Sequence, residues 1–119
     1  MPLHPLLQQR RFGSFGGEYV PDLLGPAVDE IREGLETYLD DPAFQEELNR
    51  ELKTYAGRPT ALTNAPRLAA QYGLKQVWLK REDLVHGGAH KLNNVMGQVL
   101  LAKRLGKKEL IAETGAAMD

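Results

Sequence analysis

Leu79-Lys80-Arg81-Glu82-Asp83-Leu84-Val85-His86-Gly87-Gly88-Ala89-His90-Lys91-Leu92-Asn93-Asn94 changes character twice. The β-rich Val77-Trp78-Leu79 runs into a block of charge. The chain then turns through His86-Gly87-Gly88-Ala89, and a long apolar helix starts with a lysine, Lys91, on its first turn. The first N–H groups of a helix have no intrahelical partner and together carry roughly half a positive charge, so that position favours an anion or a neutral amine over an ammonium. Lys91 therefore has two readings. It is a surface lysine whose stem snorkels from the helix end, or it is a neutral nucleophile or covalent anchor, the form that Schiff-base chemistry requires and the positive helix end favours. The small residues of Gly87-Gly88-Ala89 would let a flat ring approach the backbone, which supports the second reading.

Outward from this stretch, the helix from about Ala89 to Leu105 is apolar almost all round (Leu92, Val95, Met96, Val99, Leu100, Leu101, Ala102, Leu105), the pattern of an enclosed helix. Gly97 on it marks a close approach of another backbone. Gly106 stops the helix, Lys107-Lys108 suits its negative end, and Leu110-Ile111-Ala112 is a second apolar strand. Strand, crossover helix and strand make a right-handed parallel βαβ unit. In open α/β sheets the ligand lies beyond the carboxyl ends of the strands. Those ends carry the 83–91 loop and Glu113-Thr114-Gly115-Ala116, so Lys91 and Glu113 are expected to share one crevice.

The amino-terminal half is helical. Residues 1–20, with Phe12-Gly13-Ser14-Phe15-Gly16-Gly17-Glu18-Tyr19-Val20 at their end, read as an arm or short edge strand laid over something else. Pro21 and Pro26 bracket a helix start, and Leu24, Ala27, Val28, Ile31, Leu35 and Leu39 recur at helical spacing; Gly34 weakens this helix by about 1 kcal/mol relative to Ala. Asp41-Pro42 is an N-cap followed by a first-turn proline, and Phe44, Leu48, Leu52 and Tyr55 form the next buried stripe. Gly57-Arg58-Pro59 ends that helix, Thr60-Ala61-Leu62-Thr63 is an extended link, and Asn64 is placed to cap a short helix from Ala65 to Tyr72. The division is an arm at 1–20, a helical region at 21–73 and a βαβ unit at 74–119, together one partial domain of α/β class.

Composition narrows the function classes. With 119 residues, 42% hydrophobic, 26% charged and a net charge of −1, the chain is one ordinary globular unit with no electrostatic footprint for nucleic acid or anionic lipid. The basic pairs Arg10-Arg11, Lys80-Arg81 and Lys103-Arg104 read as solvated faces. The absence of cysteine excludes disulfides, thiol catalysis and thiolate metal sites, and suits a reducing cytoplasm. Neither a signal sequence nor a membrane span is expected.

Three further positions bear on chemistry. His90 is a loop histidine, a ligand contact or a metal ligand; with no cysteine and no second histidine at ligand spacing, no metal site is expected. Glu113 either caps or pairs locally, or acts as a general acid/base at the mouth of the site. Thr114-Gly115-Ala116 offers a hydroxyl and clustered backbone N–H groups, a nest for a carboxylate. An activated lysine, a carboxylate and an anion nest suit amino-acid chemistry on an aldehyde cofactor.

The motifs Gly57-Arg58-Pro59-Thr60, Leu79-Lys80-Arg81-Glu82-Asp83-Leu84, His86-Gly87-Gly88-Ala89-His90-Lys91, Gly97-Gln98-Val99-Leu100-Leu101-Ala102-Lys103-Arg104 and Ile111-Ala112-Glu113-Thr114-Gly115-Ala116 resemble the tryptophan synthase β subunit family. Phe12 to Pro21 is similar to that family's amino-terminal arm. The resemblance runs in order from about Arg11 to Ala116. It implies a fold-type-II pyridoxal 5'-phosphate enzyme that joins L-serine and indole into L-tryptophan, working with an α subunit and a second β subunit. The lysine matching Lys91 would hold the cofactor and remove the serine Cα proton. The residue matching Glu113 would assist loss of the β-hydroxyl and attack by indole, that matching His90 would lie against the cofactor phosphate, and Thr114, Gly115 and Ala116 would begin the substrate carboxylate loop.

The family continues that loop with Gly-Gln-His, where this chain reads Ala117-Met118-Asp119. The family's phosphate cradle, its partner for the pyridine nitrogen and most of its sheet have no counterpart in these residues. A truncated or divergent amino-terminal piece is expected, inactive alone, with one side of its apolar helix bare. The alternative is a non-catalytic binding or self-associating module that covers its bare faces with a partner.

Overall fold

Proline sets where the first two helices begin. In the computed structural model, which describes residues 13–113, Pro26 lies in the first turn of α1 (Gly25–Tyr38) and Pro42 in that of α2 (Pro42–Thr54). Proline lacks only an N–H that no carbonyl would have used there. Asp41, extended at φ −71° and ψ 120°, caps α2 by accepting a hydrogen bond from the Phe44 N–H at 2.9 Å, as its place before Pro42 predicts.

After α2, β1 (Leu62–Asn64) and β2 (Trp78–Lys80) flank the short α3 (Pro66–Gln71), and α4 (Lys91–Arg104) follows the charged turn and glycine loop. The strands pair antiparallel, Leu62 opposite Lys80 and Asn64 opposite Trp78. Asn64 is thereby drawn into the ladder. Ala65, not Asn64, is the N-cap of α3, and it makes no side-chain cap bond. Gly73 closes α3 at φ +63°, a left-handed conformation that glycine adopts without strain.

The expected parallel βαβ sheet is not formed among the described residues. Leu110-Ile111-Ala112 has no ladder; Leu110 is 57% and Ile111 99% exposed. A strand persists only by hydrogen bonding to a neighbour. The antiparallel partner of β2 is close in sequence and pairs, whereas a parallel one needs a sheet these residues do not build.

Phe44, Leu100 and Leu101 form the core, with Leu35, Tyr38, Leu48 and Leu105 packed against it. Tyr55, expected in the same stripe as Phe44, is 52% exposed and turns its ring edge toward His86 at 4.7 Å. Helix α4 is covered on one side, by α1 and α2; Val95 and Val99 lie on its bare side. The close approach expected at Gly97 is at Gly34 instead, where a Cβ would come within 2.9 Å of Leu105 Cδ2; a Cβ at Gly97 would meet nothing within 4 Å.

Ion pairs reinforce the carboxyl end of α4. Glu47 of α2 meets Arg104, and Lys103 at 3.6 Å, while Lys107 reaches Glu30 of α1 at 2.7 Å. The Arg104 guanidinium also lies over the rings of Tyr38 and Phe44, at 5.8 and 5.9 Å from their centroids. The arm is tied to α1 through Glu18 and Arg32, yet Phe15, Tyr19 and Leu23 remain exposed. Leu62, Tyr72, Leu74 and Ile111 are likewise exposed, so much apolar surface is left uncovered among the described residues.

Candidate functional site

Lys91 is the first residue of α4 and half-buried; His90 precedes it as the N-cap and is exposed. His90 makes no side-chain cap bond, so the helix start is not fixed locally. The Leu92 and Asn93 N–H groups bond Ala89 and His90 carbonyls at 3.5 and 3.2 Å, a tight, weakly bonded first turn. Before it, Gly87 and Gly88 take φ of +94° and +78°, which side-chain-bearing residues rarely adopt, and a Cβ on either would meet nothing within 4 Å. The glycines thus turn the chain sharply beside open space, as the small-residue loop predicts.

The loop is fastened to the segment that follows α2. Val85 and Ala56 are buried, and the His86 N–H bonds the Ala56 carbonyl at 3.1 Å. The Arg81 N–H bonds the Ala61 carbonyl at 3.0 Å, and Lys80 Nζ the Thr60 carbonyl at 2.6 Å. Lys80 is exposed, as expected of a solvated face, and its ammonium is nonetheless held by this bond.

The strongest polar tie is Arg58. Its Nη1 donates to Glu82 Oε1 at 3.0 Å, its Nη2 donates to Glu82 Oε2, and its Nε donates to Asn93 Oδ1 at 2.6 Å. This fork holds the Glu82 carboxyl below the ordinary carboxylate range, with smaller contributions from Lys80 and His90. Arg81 and Asp83 form a separate, more exposed pair within one turn, which lowers Asp83 in the same way. A shallow depression of about 360 Å³, lined by Asn49, Leu52, Lys53, Arg58, Pro59 and Lys80, opens beside this contact.

The structure joins Lys91 and His90 at one helix end. It places Glu113 on the exposed segment that leaves the other end of α4, about 20 Å of helix away along the chain. The described residues build no crevice wall around Glu113. Thr114, Gly115 and Ala116 lie outside the described residues. Arg58, Glu82 and Asn93 carry the loop geometry, and nothing in the sequence marks them as site residues. Their signal was a lone arginine after a helix-ending glycine and an acid inside a charged run, neither of which reveals a partner 24 or 35 positions away. Among the described residues, no three His, Cys, Asp or Glu converge as a metal site, and no helix is long and apolar enough to cross a membrane.

Chemically, this is a primary amine rooted on the first turn of a helix, beside an open glycine loop and the N–H groups of the helix start. No protein-family model matches the chain. Over 106 residues it is 58% identical to the tryptophan synthase beta chain of Shouchella clausii (strain KSM-K16) and 54% identical to that of Bacillus subtilis (strain 168). Each match covers 89% of this chain, but 27% and 26% of those proteins, so the chain spans about a quarter of the length of the curated relatives it matches. Across nearly nine-tenths of its residues, the chain is thus similar in sequence to tryptophan synthase beta chains.

Proposed function

We propose that this chain supplies the lysine-bearing, amino-terminal part of a fold-type-II pyridoxal 5'-phosphate enzyme of the tryptophan synthase β type. The reaction replaces the β-hydroxyl of L-serine with indole to give L-tryptophan. The observation that carries this reading is Lys91 on the first turn of a clamped helix, beside a left-handed glycine loop with open space around it. The identity of 54–58% over 106 residues supports it.

Of the residues present, Lys91 would hold the cofactor covalently and His90 would face its phosphate, the rest of the phosphate site having no counterpart among them. Pyridoxal phosphate, when bound, supplies an electron sink for a carbanion at the substrate Cα. Lys91 takes the Cα proton of serine. Glu113 delivers a proton to the departing β-hydroxyl, and the Thr114-Gly115-Ala116 backbone receives the substrate carboxylate. Glu113 would have to be drawn toward Lys91 by chain these 119 residues do not contain. The bare side of α4 and the exposed Leu110 and Ile111 are the surfaces such chain would cover. The assembled enzyme would act in the cytoplasm with an α subunit and a second β subunit.

Complementation tests this. The chain is mixed with a polypeptide covering the remaining three quarters of a relative, and indole consumption is followed with serine and pyridoxal phosphate. Turnover should need both pieces and disappear with Lys91→Ala. Turnover by the 119-residue chain alone, or turnover that survives Lys91→Ala, would overturn the proposal. The same exposed apolar residues favour a second reading, a non-catalytic self-associating module. A stable oligomer on sizing with no pyridoxal phosphate adduct would select it.

A further inference from the structure

We infer that Arg58 is a positioning residue for Lys91, a role that rests on the lysine's proposed function. The side chain is only 18% exposed, and it grips two points that bracket the lysine loop: Glu82 before it and Asn93 just after Lys91. Within the segment the backbone bonds of Val85, Gly88, Leu92 and Asn93 close only short turns, His86 N–H bonds the Ala56 carbonyl at 3.1 Å, and the start of α4 has no side-chain cap. Arg58 thus ties the first turn of α4 to the preceding loop through the Asn93 side chain, without accepting from the first-turn N–H groups as a cap would.

The direction of the grip matters. Successive helix residues are turned by about 100°, so Asn93 lies about 200° round the axis from Lys91. Arg58 therefore holds the first turn of α4 from the side away from the lysine. It fixes the rotation and height of that turn without occupying the lysine's side. A slip of one residue would swing the amine by about 100°. The planar fork makes this possible: three N–H groups in one rigid plane meet a carboxylate and an amide oxygen together, which an ammonium on a flexible stem does not reproduce. The neighbouring Arg81–Asp83 pair spans two positions and constrains only its own turn, so it serves as the control.

The test uses the 119-residue chain with two readouts. The first is amide hydrogen exchange at Leu92 and Asn93, with Leu101 and Leu105 reporting the core. The second is labelling of Lys91 by pyridoxal phosphate and borohydride relative to Lys107, read by peptide mass spectrometry. Arg58→Lys and Glu82→Gln should each speed exchange at Leu92 and Asn93 by about tenfold and lower the Lys91/Lys107 ratio by a similar factor, with core exchange unchanged. Asp83→Asn should move neither. Unchanged exchange at Leu92 and Asn93 in both Arg58→Lys and Glu82→Gln would overturn the inference. If the parent chain fails to label at Lys91, the proposed function fails, and the exchange readout still decides the role of Arg58.

Discussion

Replacing Gly34 with alanine tests how α4 is seated. In an isolated helix the change stabilises by about 1 kcal/mol, because glycine has more backbone freedom to lose. Here the new Cβ would lie 2.9 Å from Leu105 Cδ2, 3.1 Å from Cδ1 and 3.2 Å from Cγ. Carbon atoms prefer about 3.5–4.0 Å, so all three contacts are repulsive. Since Cγ is among them, rotation about χ2 alone does not clear the overlap, and the Leu105 side chain must turn about χ1 or shift as a whole. Overpacking of this kind costs about 1–3 kcal/mol. Taking about 2 against the gain of about 1, Gly34→Ala should destabilise by about 1 kcal/mol. In a Leu105→Ala background the three atoms are gone, and the same substitution should stabilise by about 1 kcal/mol. The coupling of about 2 kcal/mol is read from a double-mutant cycle of urea denaturation followed by far-ultraviolet circular dichroism. Stabilisation by Gly34→Ala in both backgrounds would refute the packing described between α1 and α4.

Other expectations are simpler. Asp41→Ala removes the cap on the Phe44 N–H and should cost about 1 kcal/mol in the same denaturation assay, with Asp41→Asn retaining most of it. The Thr60 hydroxyl is buried with no hydrogen-bond partner among the described residues, so the near-isosteric Thr60→Val should be neutral or stabilising by up to about 1 kcal/mol. Acid should loosen α4 at both ends. Arg58 holds Glu82 below its ordinary 4.5, and Arg104 does the same for Glu47. The stability from these depressed carboxylates is full above pH 4.5 and is lost as the pH falls through their lowered folded values. Hydrogen exchange at Leu92 and Leu105 should rise over that acidic range, and Glu82→Gln should flatten the response at Leu92 alone.

Local chemistry made much of the fold legible. Asp41-Pro42 marked the start of α2, Gly73 and Gly106 its neighbours' ends, and the small residues before Lys91 the open loop. These signals act within a few residues, and their physics needs no distant partner. Leu110-Ile111-Ala112 misled because strand character is a statement about a sheet, and among the described residues no strand pairs with it. Gly34 and Gly97 look alike in sequence; only the packing of Leu105 shows which one receives another helix. In the candidate site, Lys91 stands out in the sequence because an amine at a helix start conflicts with local electrostatics. Arg58, Glu82 and Asn93 could not, since each is an ordinary polar residue until the chain brings them together. Tyr55 failed for the same reason, its helical spacing being right and its neighbour, His86, belonging to a distant loop.

The most direct measurement maps where pyridoxal phosphate attaches. The chain has lysines at 53, 75, 80, 91, 103, 107 and 108, so borohydride trapping followed by peptide mapping compares Lys91 with six internal competitors. A single dominant adduct on the peptide containing Lys91, lost in Lys91→Ala and not transferred to another lysine, is the result expected. Adducts spread over the exposed lysines in proportion to their accessibility would contradict a specialised role for Lys91.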